Sequence, residues 1–377
     1  MINFKKMNIA KTKIEKLLEK AGLKINGKNS YDPQVLNEKL YARVLLGGSL
    51  ALGESYVDGW WEAKSLDRFF YKVLSADLEK EFIFSFIENW RALYGLAFNL
   101  QSAKRAFQVG QKHYDIGNDI YQSMLGKTMT YSCGYWKKAN NLNKAQEAKL
   151  DLICKKINLK KGDYILDIGC GWASFLKFAA ENYRAKGLGI TVSKEQAEFA
   201  REFCKGLPVK IQLLDYRSIA GKFDHIVSVG MFEHVGTKNY RTFMKKAGEL
   251  LKDEGLFLLH TIGSDKSYFS SDKWVTKYIF SNSMLPSMAQ IAKSAEGIFA
   301  IEDLHNFGAD YDKTLMAWFD NFEKSWPKFQ AKYGERFYRM WKYYILISAA
   351  NFRARKIHLW QIVLSKKGVP GGYKSVR

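Results

Sequence analysis

Tyr164-Ile-Leu-Asp-Ile-Gly-Cys-Gly-Trp172 is a short apolar strand that runs straight into a glycine turn able to open a helix. Ile165, Leu166 and Ile168 supply the buried strand, whereas Asp167, Gly169 and Gly171 stand where backbone must pass close to a ligand. Glycine suits that place because it lacks a Cβ and accepts positive φ. The N–H groups that open the next helix, from Ala173 to Phe175, would face an anionic group. A lone G-x-G also occurs in many ordinary turns, so the flanking residues decide its meaning.

The third small position is Ala173, not glycine. The next strand, Gly187-Leu-Gly-Ile190, ends in Thr191, where a nicotinamide dinucleotide site would want a carboxylate for the ribose. The pattern therefore favours S-adenosylmethionine, with its ribose held by Thr191, Ser193 or Gln196.

Further out, strand patterns fall near 163–168, 186–191, 209–214, 224–230, 255–262, 298–304 and 358–365, with helical intervals between most of them. This alternation predicts a doubly wound α/β sheet of seven strands. The last connection, Thr314 through Arg355, is long, amphipathic and rich in aromatics, and is expected beside the ligand cavity. Before the glycine turn, Asn143 is placed to cap a helix running to Ile157, with Gln146 completing a capping box.

The first ninety-five residues read as a small, mainly helical unit. Ile9 to Leu23 keeps rough helical spacing among many lysines, and Gly47-Gly-Ser-Leu-Ala-Leu-Gly53 interrupts a second helical stretch. From Ala63 to Phe98, phenylalanine and leucine recur at helical spacing, which suits core packing or a groove for an acyl chain. Residues 96–112 read as a polar connector, and 113–377 as the catalytic domain, opened by His113-Tyr-Asp-Ile-Gly-Asn-Asp119.

A chain of 377 residues has room for two such domains, each with its own core. Its 59 Lys and Arg against 38 Asp and Glu give +21, a bias toward an anionic partner. Residues 331–377 alone hold eleven basic residues and one acid, Glu335. Nucleic-acid phosphate, anionic lipid headgroups and a plain solvated face all fit that charge. No apolar run is long enough for a membrane span, and the start shows no secretory signal. Four cysteines, at 133, 154, 170 and 204, lack metal-ligand spacing, so no metal site is expected and a reducing cytoplasm fits best.

Several further stretches carry a more specific signal: Gly53-Glu-Ser-Tyr-Val-Asp-Gly-Trp-Trp61, Tyr131-Ser-Cys-Gly-Tyr-Trp136, Ser228-Val-Gly-Met-Phe-Glu-His-Val-Gly236, His260-Thr-Ile-Gly-Ser264 and Asn306-Phe-Gly-Ala-Asp-Tyr311. With the glycine turn and His113–Asp119, they make the chain resemble the cyclopropane-fatty-acyl-phospholipid synthases nearly end to end. The resemblance implies a Rossmann-like, seven-stranded methyltransferase sheet preceded by a helical domain for dimerisation and lipid presentation. It also implies a homodimer lying peripherally on the inner face of the membrane, with anionic lipid favoured and no role for nucleic acid. The implied reaction moves a methylene unit from S-adenosylmethionine across a cis double bond of an unsaturated acyl chain in phospholipid.

The resemblance brings Tyr131, Ser132, Asp215 and Tyr216 to the cofactor set of Asp167, Gly169, Gly171, Thr191, Ser193 and Gln196. It implies a bound bicarbonate as proton acceptor, held by Cys133, Glu233, His260, Ile262 and Tyr311. Glu233 or His260 acting directly as base is the competing reading. The chemistry wants aromatic walls that exclude water and face a carbocation, for which Tyr131, Tyr135, Trp136, Phe232, Tyr278, Phe307 and Tyr311 are candidates. Ser348 stands where relatives often carry cysteine, which argues against a nucleophile there. A related lipid methyltransferase giving a methyl-branched product is the nearest alternative. A basic nucleic-acid methyltransferase is the other, but no base-reading module accompanies the charge.

Overall fold

Seven strands form one sheet in the order β5-β4-β3-β6-β7-β9-β8. They are β3 (Tyr164–Ile168), β4 (Lys186–Thr191), β5 (Val209–Leu213), β6 (Phe223–Val229), β7 (Leu251–Gly263), β8 (Ala300–Asn306) and β9 (His358–Ser365). The order comes from a computed structural model, which describes residues 4–78, 117–268, 271–281 and 283–377. All seven expected strands are present, and β7 begins earlier than its sequence pattern. The first five pair in parallel, whereas β9 runs antiparallel to both β7 and β8. Strand order reverses between β3 and β6, which opens a crevice at the carboxyl ends of these strands.

Side chains alternate across each strand, so each face of the sheet has its own core. Leu166, Ile168, Ile226, Phe257, Leu259, Ile362 and Leu364 join one cluster, covered by α8 (Tyr240–Leu250) and α10 (Met288–Ala295). Ile165, Val227, Leu256, Leu258 and Val363 join the other, under α5 (Leu142–Lys156), α6 (Ser174–Tyr183) and α7 (Lys194–Phe203). The same parity carries Asp167, His260 and Gln361 onto the α5 face. The site thus follows from period two plus the position of one helix.

α5 starts two residues earlier than expected. Asn141 is its cap and accepts from Lys144 N at 3.0 Å, a bond of the kind worth ~1 kcal/mol. Asn143 instead accepts from Lys127 N, and Gln146 turns inward to Ser132. The interior bond displaces the capping box because a buried amide left unpaired costs more than an exposed one.

By contacts the chain divides into two compact units, Met1–Leu96 with Ser270–Ser281 and Leu315–Lys356, and Ala97–Phe269 with Asn282–Thr314 and Ile357–Arg377. The second unit holds the sheet. The first holds α1 (Phe4–Lys20), α2 (Lys39–Val57), α3 (Leu66–Ser75), α9 (Lys273–Tyr278) and α12 (Gln330–Arg353). Two short strands, β1 (Gln34–Val35) and β2 (Trp61–Glu62), pair in it. Packing therefore departs from the expected division at residue 113, because two later segments join the N-terminal helices. The reason is aromatic: Tyr343 on α12 lies 5.0 Å from Phe70, 5.6 Å from Tyr56 and 4.4 Å from Trp274. The interruption read at Gly47–Gly53 is a kink at Gly48 inside α2. The expected connector, the end of the Phe- and Leu-rich stretch and His113–Ile116 lie outside the described residues.

Candidate active site

The glycine turn leaves β3 with Gly169 at φ +84° and Gly171 at φ +54°. The two glycines do different work. A Cβ on Gly169 would meet the Met231 side chain at 2.5 Å, so packing fills its side-chain space and leaves only its backbone for a ligand. A Cβ on Gly171 would find only Gln196 Nε2, 3.9 Å away, which is the open approach that a ligand turn needs. Ala173 also takes the left-handed conformation, at φ +64°, so the turn keeps its shape without a third glycine.

Of the three ribose candidates, Thr191 donates to Gln196 Oε1 at 2.9 Å, and Ser193 caps α7 by accepting from Gln196 N. All three are buried, Thr191 as the last residue of β4 and the other two just beyond its carboxyl end. Asp215, past the end of β5, accepts from the backbone and guanidinium of Arg217. Tyr216 sinks its ring into the core beside Phe243, which pushes its hydroxyl up to about 12.

Asp167 is buried at the last turn of β3, and its Oδ1 has no hydrogen-bond partner. Burial raises its pKa to about 7, against the opposing pull of the Lys149 ammonium. Lys149 projects from α5 onto the same face and donates to Ser132 Oγ at 2.9 Å. One turn earlier Gln146 donates to Ser132 O at 2.8 Å, so a single helix face grips both oxygens of that residue. Tyr131 stacks edge-on with Tyr121 at 5.2 Å.

At the other side of the crevice, Glu233 follows β6 in a 3-10 turn (Phe232–His234) and is 5% exposed. Its Oε1 accepts from Ile262 N at 2.6 Å, and its Oε2 is buried with no partner. Burial lifts its pKa to about 7, although the Ile262 amide opposes the shift. His260, two residues before Ile262 on β7, is fully buried. Gln361 Nε2 donates to its Nδ1 at 3.2 Å, so the ring proton sits on Nε2, which has no partner. Burial, then the charges of Lys149 and Lys156, hold the imidazole well below its usual pKa. It is a neutral donor.

The segments carrying Cys133 and Tyr311 are joined at α11 (Ala309–Ser325). Thr314 Oγ1 accepts from Gly134 N at 3.0 Å and from Trp136 Nε1 at 2.9 Å, and Asp310 accepts from Trp136 N at 2.7 Å. The first turn of α11, with Tyr311 in it, is thereby fixed to the segment carrying Cys133. Burial pushes the Cys133 thiol well up, so it is a poor nucleophile. Phe307 links this group to the strand ends: its ring lies 6.0 Å from His260 and 5.4 Å from Tyr135.

Two of the expected aromatic walls do other work. Phe232 is fully buried and stacks on Tyr240 at 4.3 Å, and Tyr278, in the first unit, donates its hydroxyl to Glu54 at 3.1 Å. Lys149, Thr314 and Gln361 escaped the sequence reading, and Gln146 entered it only as a capping residue. For Lys149 a signal existed. It falls on the stripe of Leu142, Ala145, Gln146, Ile153 and Lys156 that α5 buries, where a lysine is out of place.

The basic segment 331–377 spends much of its charge internally. Within the first unit Arg336 pairs with Asp58, Arg353 with Asp67 and Lys356 with Asp77. Within the second, Lys366 and Lys367 share Asp253, and Arg377 engages Asp303. Among the described residues no group of acids, cysteines and histidines has the arrangement of a metal site, and no helix is long and apolar enough to cross a membrane.

Residues 101–362 match the family model for mycolic acid cyclopropane synthetase. The chain is 53% identical over 361 residues to the cyclopropane-fatty-acyl-phospholipid synthase of Escherichia coli (strain K12), covering 96% of this chain and 94% of the relative. It is 37% identical over 273 residues to a probable fatty acid methyltransferase of Pseudomonas putida, 69% of each chain. Among solved structures it resembles mycolic acid cyclopropane synthase CmaA1 complexed with SAH and CTAB, at 30% identity and a TM-score of 0.65, over 69% of this chain and 98% of that one.

Proposed function

Since the chain belongs to the mycolic acid cyclopropane synthetase family, we propose that it is an S-adenosylmethionine-dependent cyclopropane-fatty-acyl-phospholipid synthase. Its substrate is a cis-unsaturated acyl chain in membrane phospholipid. The observation that carries the reading is the buried pair Glu233 and His260 at the strand ends, each with one polar atom that has no partner among the described residues. That pair stands beside a glycine turn open to a ligand at Gly171.

Tyr131, Ser132, Asp167, Gly169, Gly171, Thr191, Ser193, Gln196, Asp215 and Tyr216 would hold S-adenosylmethionine, which when bound supplies an electrophilic methyl group. An alkene is a weak nucleophile, so much of the acceleration comes from holding the double bond in line with that methyl. With the double bond so held, its π electrons would form the new carbon–carbon bond as the methyl is given up by sulfur, with S-adenosylhomocysteine as the other product. The acyl chain is left as a carbocation. Tyr135, Phe307 and Tyr311 line the approach with ring faces, keep water out and favour the cation. One proton then leaves the former methyl and the ring closes.

For that proton, bicarbonate is the favoured acceptor, and the residues present fit it. Glu233, whose pKa burial lifts to about 7, can donate from Oε2 in its protonated form, and His260 can donate from Nε2. When bound, bicarbonate would supply a weak, mobile base. Cys133, Tyr311 and the Ile262 backbone complete the proposed holder. The first unit is assigned lipid presentation and dimerisation, and the +21 charge favours anionic membrane. The second reading, a methyl-branched product, is kept because the Pseudomonas putida relative is named a probable fatty acid methyltransferase.

The test is to incubate the protein with methyl-labelled S-adenosylmethionine and vesicles of unsaturated phospholipid, then analyse the extracted chains. A labelled ring in place of the double bond is expected. A labelled methyl branch would favour the second reading, and unlabelled lipid would overturn both.

A further inference from the structure

Lys149 is a buried cation near both ends of the crevice that the proposed chemistry leaves without a task. Its side chain is 1% exposed, and among the described residues its one hydrogen bond is the 2.9 Å donation to Ser132 Oγ. An ammonium has three protons to give, so two remain without a partner among the described residues, in a place closed to bulk solvent. The charge acts on Cys133, Asp167 and His260, which puts it in the middle of the site. Across from it the buried Asp167 Oδ1 also has no partner. A lone buried cation is costly unless an anion joins it.

The fold holds this arrangement firmly. Asp167 shares the sheet face of Ile165, and Lys149 stands one helical turn before Ile153 on the helix packed there. Gln146 ties Ser132 O to the same helix at 2.8 Å, so the hydroxyl that Lys149 contacts has a fixed position. A buried cation beside an orphaned carboxylate oxygen is complementary to an α-amino acid, which carries one charge of each sign. S-adenosylmethionine ends in that group.

We infer that Lys149 is a recognition residue for the carboxylate of the methionine end of the cofactor, acting directly and through Ser132, with Asp167 facing the ammonium. The inference rests on the S-adenosylmethionine reading above. It assigns the carboxylate to the α5 side of the crevice and leaves the strand ends at Glu233 and His260 to the proton acceptor.

The experiment compares two nucleosides by calorimetry on the whole chain: S-adenosylhomocysteine, which has the amino-acid end, and 5′-methylthioadenosine, which lacks it. Lys149→Met, of similar length and apolar, should weaken S-adenosylhomocysteine by about tenfold to a hundredfold, the usual worth of a charge-assisted hydrogen bond. Binding of 5′-methylthioadenosine should stay within about twofold of the wild type, because the variant removes nothing that ligand uses. Equal weakening of both ligands would make Lys149 a structural support only, and no weakening of either would remove it from the site. If the Lys149→Met melting transition is lost, Lys149→Gln and Ser132→Ala make the same comparison and are judged by the same outcomes. A third arm titrates bicarbonate into wild type and Lys149→Met by calorimetry: loss of bicarbonate binding with unchanged S-adenosylhomocysteine affinity would assign the cation to the small anion and overturn the inference. A wild type that binds neither nucleoside would instead refute the cofactor reading itself.

Discussion

The carboxyl end of β3 and the carboxyl ends of β6 and β7 both bury ionisable groups, but they handle the charge in opposite ways. At β3, Asp167 has a cation within electrostatic reach, Lys149, and burial brings the pKa values of both to about 7. At β6 and β7, Glu233 has an amide but no cation bonded to it, and His260 is neutral. The first end offers two opposite charges and suits a zwitterion. The second offers a carboxyl with no cation bonded to it beside a neutral imidazole, and suits one small anion that arrives with the reaction. A single crevice can thus bind a charged cofactor and still keep the reacting double bond dry.

The largest effect is expected at the first end. Gly171→Leu should abolish S-adenosylhomocysteine binding measured by calorimetry, because the side chain fills open space at a φ of +54°. The backbone cost alone is only about 1–2 kcal/mol, so folding should survive. Gly169→Ala is the contrast. Its Cβ would strike Met231 at 2.5 Å, and the expected loss is in melting temperature. Unchanged affinity in Gly171→Leu would remove the cofactor from this turn.

The second end gives a pH signature. Glu233 has its folded pKa raised from 4.5 to about 7, so its contribution to stability is full below about pH 4.5 and is lost as pH rises through 7. Glu233→Gln cannot titrate and should gain on the wild type by up to about 3 kcal/mol between about pH 4 and about pH 8. Chemical denaturation at both pH values measures this. A constant difference would mean that the carboxyl is not desolvated, and the contrast between the two ends would fail.

Two smaller effects bound the account from outside the crevice. Binding to anionic vesicles should exceed binding to zwitterionic ones in a sedimentation assay and weaken as salt shortens the Debye length to about 8 Å. The internal pairing of Arg336, Arg353, Lys356, Lys366, Lys367 and Arg377 makes a modest salt effect the expectation, and a salt-blind, headgroup-blind result would point to apolar insertion. Ser348→Ala should keep most of the turnover, since no step uses a hydroxyl nucleophile there. Lost turnover with intact folding and cofactor affinity would require a different mechanism.

What was legible in the sequence follows from which forces are local. The strands around Leu166, Ile190 and Ile226 are short apolar runs between turn residues, and period two alone set which residues share a face. Glu233 and His260 stood out because they directly follow or end such strands. Lys149 did not, because lysine on a helix reads as solvated, and only packing reveals that α5 turns it inward. The same blindness moved the cap from Asn143 to Asn141: local pattern cannot tell that Ser132 will claim Gln146. Phe232 and Tyr278 looked like their neighbours in composition, and only tertiary contacts sent one to the core and the other to Glu54. The segments 270–281 and 315–356 joined the N-terminal helices for a reason equally remote from local sequence, the rings gathered around Tyr343.

The central claim is that the neutral end at Glu233 and His260 works by holding a small oxyanion that takes the proton. A carbocation makes its neighbouring C–H strongly acidic, so position matters more than base strength. The direct measurement is turnover on unsaturated phospholipid vesicles with carefully degassed, bicarbonate-free enzyme, before and after bicarbonate is added back. The account predicts that most turnover is lost and then restored, with weaker restoration in Glu233→Gln and His260→Ala while both still bind S-adenosylhomocysteine. Full turnover without bicarbonate, together with complete loss in Glu233→Gln, would contradict it and make Glu233 itself the base.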